Sequence, residues 1–443
     1  FIALRTTSYY QNIGMLLLAV LIIGGCTKSN KSTFPMVLTV PFFEDVWGGA
    51  AYGVTCDSSD NVYVVGNGYN SPMDQGGVAP AYWGIRKFSP DGTEVKENWC
   101  DNSVTAFPNG WNRPYAVTTD GAGNVYVAGT IIDSSNPSTD WYIMKFDSTG
   151  MADTVNWNKQ YGTIGEWDEA FGLGIDSSGD IYVAGYGTNV DNVATGEDWW
   201  IKKFNSGGTA YSTANWDIAT DNGGTSFEYV QSIGIDGDDN IWAICIKGAD
   251  HHLALEKYDS DGNELWSSTL TIQYDTIGSY NSNGQRVAFD SSGNVYFVGS
   301  GKDVVNGSSG NDWIVKKFNS IGVEDLAWDK ALDGGGDAEA FAVAVDSGDN
   351  VYVVGYGVNL YSSTSGRDWW IKKYSSDGTE VVTGWDKKIH GGHTNASAIE
   401  TAYGVAVDSD DNVYVVGTVV PSAGGNIWRI MKYGSDGTEL YSK

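Results

Sequence analysis

Two of the four histidines in this 443-residue chain stand three apart, in His390-Gly391-Gly392-His393. Paired imidazoles are zinc-type ligands, but the stretch is glycine-rich, no cysteine is near, and no helix fixes the spacing. A third ligand would have to come from elsewhere, so no metal site is expected. Clustered carboxylates occur in Asp236-Gly237-Asp238-Asp239-Asn240 and Asp408-Ser409-Asp410-Asp411-Asn412. A calcium loop of the EF-hand kind needs a longer ligand series and a distal bidentate Glu, and neither follows at that spacing. These side chains are expected to accept hydrogen bonds from their own turn amides. A third set joins charge to aromatic surface: Trp47, Trp111, Arg113, Trp167, Glu169, Glu228, Arg286, Glu339 and Glu400. Each stands where the chain enters an apolar run, and together they suit stacking and ion pairing with a bound partner. No G-x-S-x-G elbow, P-loop or H-E-x-x-H occurs, so no catalytic residue is assigned and no cofactor is expected.

The elements that must hold these residues repeat. An Asp closing an apolar run recurs as Asp57, Asp120, Asp176, Asp236, Asp290, Asp346 and Asp408, at steps of 54 to 63 residues. A polar turn follows, and Asn61, Asn124, Asp180, Asn240, Asn294, Asn350 and Asn412 open the next run. Mid-copy, Lys precedes an aromatic at Lys87, Lys145, Lys203, Lys257, Lys317, Lys373 and Lys432. Near the end of the copies stand Trp99, Trp157, Trp216, Trp266, Trp328 and Trp385, with Tyr441 in the seventh. Each copy divides into four short runs rich in Val, Ile, Tyr, Trp and Phe, separated by Gly, Asp, Asn and Ser, which is the pattern of strands and turns. After residue 30 no segment carries a 3.6-residue apolar period. Runs such as Tyr352-Val353-Val354 are apolar on consecutive positions and must be buried on both faces. Sheets stacked radially about an axis meet that demand and leave only short edges. The expected fold is all-β, a seven-bladed β-propeller of four-stranded antiparallel blades.

The third strand of six copies opens on Trp (Trp83, Trp141, Trp199, Trp313, Trp369 and Trp428), while copy four has Leu253 after His251-His252. So regular a slot predicts a wedge between blades rather than a carbohydrate platform. The recurring Lys is expected to pair with acidic groups near the turns. Cys56 and Cys100 fall on the first and fourth strands of one blade, three spacings of about 4.8 Å apart. Cys245 belongs to a non-adjacent blade, and no disulfide is expected.

The pieces DSSGNVYFVG (290–299) and DWWIKKF (198–204) resemble the bacterial seven-bladed propeller repeats of the SBBP and NHL-like kind, over roughly residues 51–443. That resemblance implies the fold and no particular activity. The stretches at 261–266 and 436–441 also resemble quinoprotein repeats, which typically make eight blades around a dedicated cofactor pocket; nothing here supplies one.

Residues 1–26 differ in kind. Arg5 precedes an apolar run at 13–23 that is too short to span a bilayer but suits a signal peptide. Gly24-Gly25-Cys26 resembles the lipobox of bacterial lipoproteins, which implies cleavage before Cys26, its lipidation, and with Thr27 next an outer-membrane or cell-surface location. An ordinary cleaved signal peptide is the plainer alternative. Residues 27–35 read as a flexible tether and 36–443 as the propeller. The strand-like stretch at 36–42 is expected to pair into the last blade and close the ring, since an open ring leaves two sheet edges unpaired. The formal charge of −29 argues against nucleic acid and against direct adhesion to anionic lipid, leaving the lipid on Cys26 as the membrane contact. A monomeric extracytoplasmic protein is expected, binding a protein or glycan partner on its loop face, where the nine charged and aromatic candidates gather. A loop-built lyase or hydrolase at the channel mouth and a purely structural envelope protein are the alternatives. The missing catalytic motifs point away from an enzyme.

Overall fold

The computed structural model describes residues 48–69, 82–99, 112–132, 138–190, 196–211, 216–220, 228–247, 252–273, 286–302, 304–305, 310–393, 398–422 and 424–443. Their 28 strands group in sequence order by fours. Blade 1 covers 48–95, blade 2 113–161, blade 3 169–220, blade 4 229–273, blade 5 287–332, blade 6 339–389 and blade 7 401–442. Within each, every strand pairs antiparallel with its sequence neighbour. The first strands contact one another in order from blade 1 to blade 7 and back to blade 1, so they encircle an axis. The chain is a seven-bladed β-propeller.

Tryptophan holds blade to blade. The indole N–H of Trp141 donates to the Tyr186 carbonyl of the next blade at 2.7 Å, Trp313 to Tyr356 at 2.7 Å, and Trp369 to Thr418 at 2.7 Å. Trp428 of blade 7 reaches Asn67 of blade 1 at 2.8 Å, so the same device closes the ring. The receiving surface is glycine by necessity. A Cβ on Gly417 would lie 2.8 Å from the Trp369 ring and 2.1 Å from the Thr401 carbonyl.

The first-to-second strand turns are uniform. Each turn has five residues (57–61, 120–124, 176–180, 236–240, 290–294, 346–350 and 408–412). The Asp236 carboxylate accepts the amides of Asp238 and Asn240 and the indole N–H of Trp242, and pairs with Lys257 at 3.0 Å. Asp408 accepts the amides of Asp410 and Asn412 and pairs with Lys432 at 3.2 Å. The acidic clusters thus serve their own turns, as expected, and in five of the seven copies the recurring Lys pairs with the anchor Asp. The fourth turn residue takes a positive φ. Where it is Asp rather than Gly it reaches the preceding blade: Ser177 to Asp239, Ser291 to Asp349, Ser347 to Asp411, and Ser409 to Asp60 across the ring closure. The left-handed conformation disfavours Asp, and this latch offsets the strain.

The expected closing strand at 36–42 lies outside the described residues, as do Cys26 and the tether. Within them, the chain's own C-terminus supplies the fourth strand of blade 7, Glu439–Ser442, with Lys432 opposite Tyr441. Gly48 opposite Ile427 joins blades 1 and 7 into one sheet. Cys56 and Cys245 are free thiols, and Cys100 is not among the described residues.

Candidate functional site

The first strands carry a β-bulge at one repeat position, five residues before the anchor Asp. In blade 1 Ala51 pairs with Gly66 and Gly53 with Val65, leaving Tyr52 as the extra residue. The same break leaves out Tyr115, Phe171, Gln231, Phe341 and Tyr403 in blades 2, 3, 4, 6 and 7. A bulge re-aims the residue it expels. Here the expelled rings meet around the axis: Phe341 with Tyr403 at 5.1 Å between centroids, Tyr403 with Tyr52 at 5.3 Å, Tyr52 with Tyr115 at 5.5 Å and Tyr115 with Phe171 at 5.3 Å. They form a buried aromatic diaphragm. On its turn side lies a cavity of about 100 Å³ lined by Tyr52, Tyr115, Phe171, Ser232 and Gly404, opening toward a wider vestibule of about 400 Å³. Gln231 stands in the same bulge position, fully buried, with neither amide atom hydrogen-bonded.

The structure separates the nine sequence candidates. Trp47 and Trp111 lie outside the described residues. Arg113, Glu169 and Glu339 start first strands two residues ahead of the bulge. Glu169 accepts from the Tyr115 hydroxyl at 3.2 Å. Burial pushes its carboxyl up to about 7, against the pull of Arg113. Neighbouring Glu197, on the third strand of blade 3, is pushed up to about 8 by burial and by the charges of Glu169 and Asp168. Burial lowers Arg113, but Tyr115, Tyr52 and Glu169 more than offset it and hold the guanidinium charged. Arg286 is fully buried; it donates to Glu339 at 2.8 Å and to the Ala340 carbonyl at 2.9 Å, and faces the Phe341 ring at 5.1 Å.

Glu228 and Glu400 occupy a different slot, eight residues before the anchor Asp, shared with Asn112 and Asp168. This slot caps the end of the second strand. Asn112 accepts the Ile132 amide at 2.8 Å, Asp168 the Thr188 amide at 2.7 Å and Glu400 the Val420 amide at 2.8 Å. Burial pushes Asp168 to about 7 and raises Glu400. Trp167 is exposed at 44%, and its carbonyl accepts from the Thr188 hydroxyl. The candidates therefore divide into channel-mouth charges, strand caps and one exposed indole.

Sequence reasoning missed the diaphragm, Gln231 and Glu197. The aromatic ring had a readable signal, since five of seven copies carry Tyr or Phe at that offset. Glu197 had none, because only the sheet brings it beside Glu169. His390 and His393 do find carboxylates: His390 lies 3.1 Å from Asp368 and 3.3 Å from Glu400, and His393 lies 3.4 Å from Glu400.

No protein-family model matches the chain, and no curated protein matches it. Solved structures do resemble it. A puromycin hydrolase aligns over 88% of this chain and 53% of its own, with 12% identity and a TM-score of 0.51. A structure from a study of two prolyl endopeptidases aligns over 89% of this chain and 48% of its own, with 10% identity and a TM-score of 0.50. The chain spans about half the length of each. At such identities the likeness establishes the β-propeller fold and leaves the activity open.

Proposed function

We propose that this chain is a surface-anchored extracytoplasmic binding protein, held by a lipid on Cys26, that takes a protein or glycan partner on the loop end of an SBBP/NHL-like propeller. One observation carries the reading: the first-to-second strand turns are uniform, while the second-to-third strand loops at the opposite end vary in length. The first-to-second strand turns have five residues in every blade, and Ser–Asp contacts latch four of the seven blade junctions there. At the loop end the second-to-third strand connections run from four residues (248–251) to twelve (70–81). Connections that vary in length on a rigid scaffold are where binding surfaces are built. The Arg113, Glu169 and Glu197 charges and the exposed Trp167 border that end.

Immobilised full-length chain tests this by capture from cell-envelope extract and by a glycan panel. The double change Ile164→Ser and Trp167→Ala, both on the exposed connection into blade 3, should cut recovery at least tenfold. Ile321→Ser, exposed at the turn end, should leave it unchanged. Equal recovery by all three proteins overturns the assignment to the loop end. A loop-built hydrolase or lyase is the second reading, supported by Glu169 and Glu197 holding protons near neutral pH beside Arg113. It requires turnover of some ester, peptide or glycoside by the wild type, lost in Glu169→Gln.

A further inference from the structure

The connection from blade 6 to blade 7 departs from the repeat, and it does so with imidazoles. Asp368 belongs to a recurring position, since Asp140, Asp198 and Asp312 also precede the third-strand Trp and are also buried. Glu400 belongs to the cap slot described above. The repeat therefore explains both carboxylates. It does not explain two of the chain's four histidines packed between them.

Their geometry is fixed from several sides. Gly392 bridges to Pro421, which ties the connection to blade 7. Glu400 is fully buried, and its two oxygens receive the amides of Gly391 and Val420. Asp368, also fully buried, commits one oxygen to the Tyr361 amide and the Ser365 hydroxyl and turns the other toward His390. The two imidazole centroids are 4.3 Å apart. His390 Nε2 lies 3.1 Å from the His393 carbonyl. A carbonyl only accepts, so Nε2 carries a proton, and unless the ring is doubly protonated Nδ1 presents a lone pair. That lone pair faces Asp368 at 3.1 Å and Glu400 at 3.3 Å. Two carboxylates around that nitrogen call for a positive charge there, which a second ring proton or a bound cation supplies.

We propose that His390 Nδ1, His393 Nε2 and Glu400 form a binding site for a zinc-class divalent cation between blades 6 and 7, with Asp368 beside His390. Three of these donors, on His390, His393 and Glu400, lie within 4.8 Å of one another. The His390–Glu400 and His393–Glu400 separations are 3.3 and 3.4 Å. Two ligands bound tetrahedrally at about 2.0–2.1 Å stand about 3.4 Å apart. Two imidazoles and a carboxylate form a borderline donor set that suits zinc above calcium or magnesium, which prefer all-oxygen shells. The His390 Nε2–H bond to a backbone carbonyl is the outer contact that orients a metal-bound imidazole. Tyr361 stacks on His390 at 5.2 Å, 64% exposed, and screens the site from solvent. This site does not depend on the proposed partner binding, and either can fail alone.

The test uses the full chain, stripped with chelator and titrated with zinc against a chromogenic competitor, with metal content measured after dialysis. Wild type should bind one zinc per chain with submicromolar affinity, and cobalt in its place should give tetrahedral ligand-field bands. His390→Gln with His393→Gln should weaken binding at least a hundredfold. Glu400→Gln, which keeps an acceptor for the Val420 amide, should weaken it at least tenfold. His252→Gln, on blade 4, should change nothing. Circular dichroism matching wild type confirms that each variant is folded. Failure of folded wild type to bind zinc, or equal binding by the double histidine variant, overturns the site and leaves an imidazolium between carboxylates.

Discussion

The tryptophan wedge makes a quantitative prediction at Trp369. Its ring is fully buried, packs on the bare backbone of Gly417, and donates to the Thr418 carbonyl. Burying an indole removes roughly 200 Å² from water, which at about 25 cal/mol per Å² stabilises by about 5 kcal/mol. Trp369→Ala also strands the Thr418 carbonyl, but neighbouring side chains relax partly into the space. The expected loss is about 3–5 kcal/mol. With an unfolding entropy of about 2.1 cal/mol/K per residue, a 4 kcal/mol loss lowers Tm by about 5 °C for a propeller of this size. Trp369→Phe, which keeps the ring volume in part, should recover more than half. Urea unfolding followed by fluorescence and by far-ultraviolet circular dichroism reads both variants, and coincident transitions license the comparison. A loss below about 1 kcal/mol for Trp369→Ala, in the range of surface substitutions, would refute the wedge as the inter-blade tie.

The channel mouth predicts a loss of stability between about pH 4.5 and 8. Glu169 and Glu197 ionise ordinarily near 4.5 but hold their protons to about 7 and about 8 in the fold. Between those values the folded state binds more protons than the unfolded one, so stability is full below about pH 4.5 and falls as pH rises through 7 to 8. For Glu169 the loss is at most about 3 kcal/mol. Glu197→Gln should flatten the fall of a Tm-against-pH curve between about pH 4.5 and 8, and an unaltered fall would count against the coupling. Turn carboxylates such as Asp346 and Asp408 are held below their usual range: burial opposes this, but bonds from Asn350 or Asn412 and a nearby Lys prevail. They contribute stability above about pH 4 that is lost as pH falls through their lowered values, so the curve should fall at both ends. Gln231→Met replaces a buried amide lacking partners by an apolar side chain of similar shape, and should stabilise by about 1–3 kcal/mol. A loss instead would show that the amide is satisfied, for example by a water in the adjoining cavity.

The repeat alone determined the fold class, the number of blades and the roles of the Asp-Asn turns, the Lys slot and the Trp slot. It could do so because each of those contacts recurs at a fixed offset, and periodicity makes a three-dimensional contact visible in one dimension. Only the tertiary structure decided how the candidates at the strand entrances divide. Glu339 and Glu400 sit at neighbouring repeat positions, yet one pairs with Arg286 and the other caps a strand and faces two histidines. A shift of one residue along a strand sends a side chain to the opposite face. The meeting of His390 and His393 with Asp368 and Glu400 across two blades depends on two histidines that no other copy carries at that place, so no recurring offset in the sequence marks it.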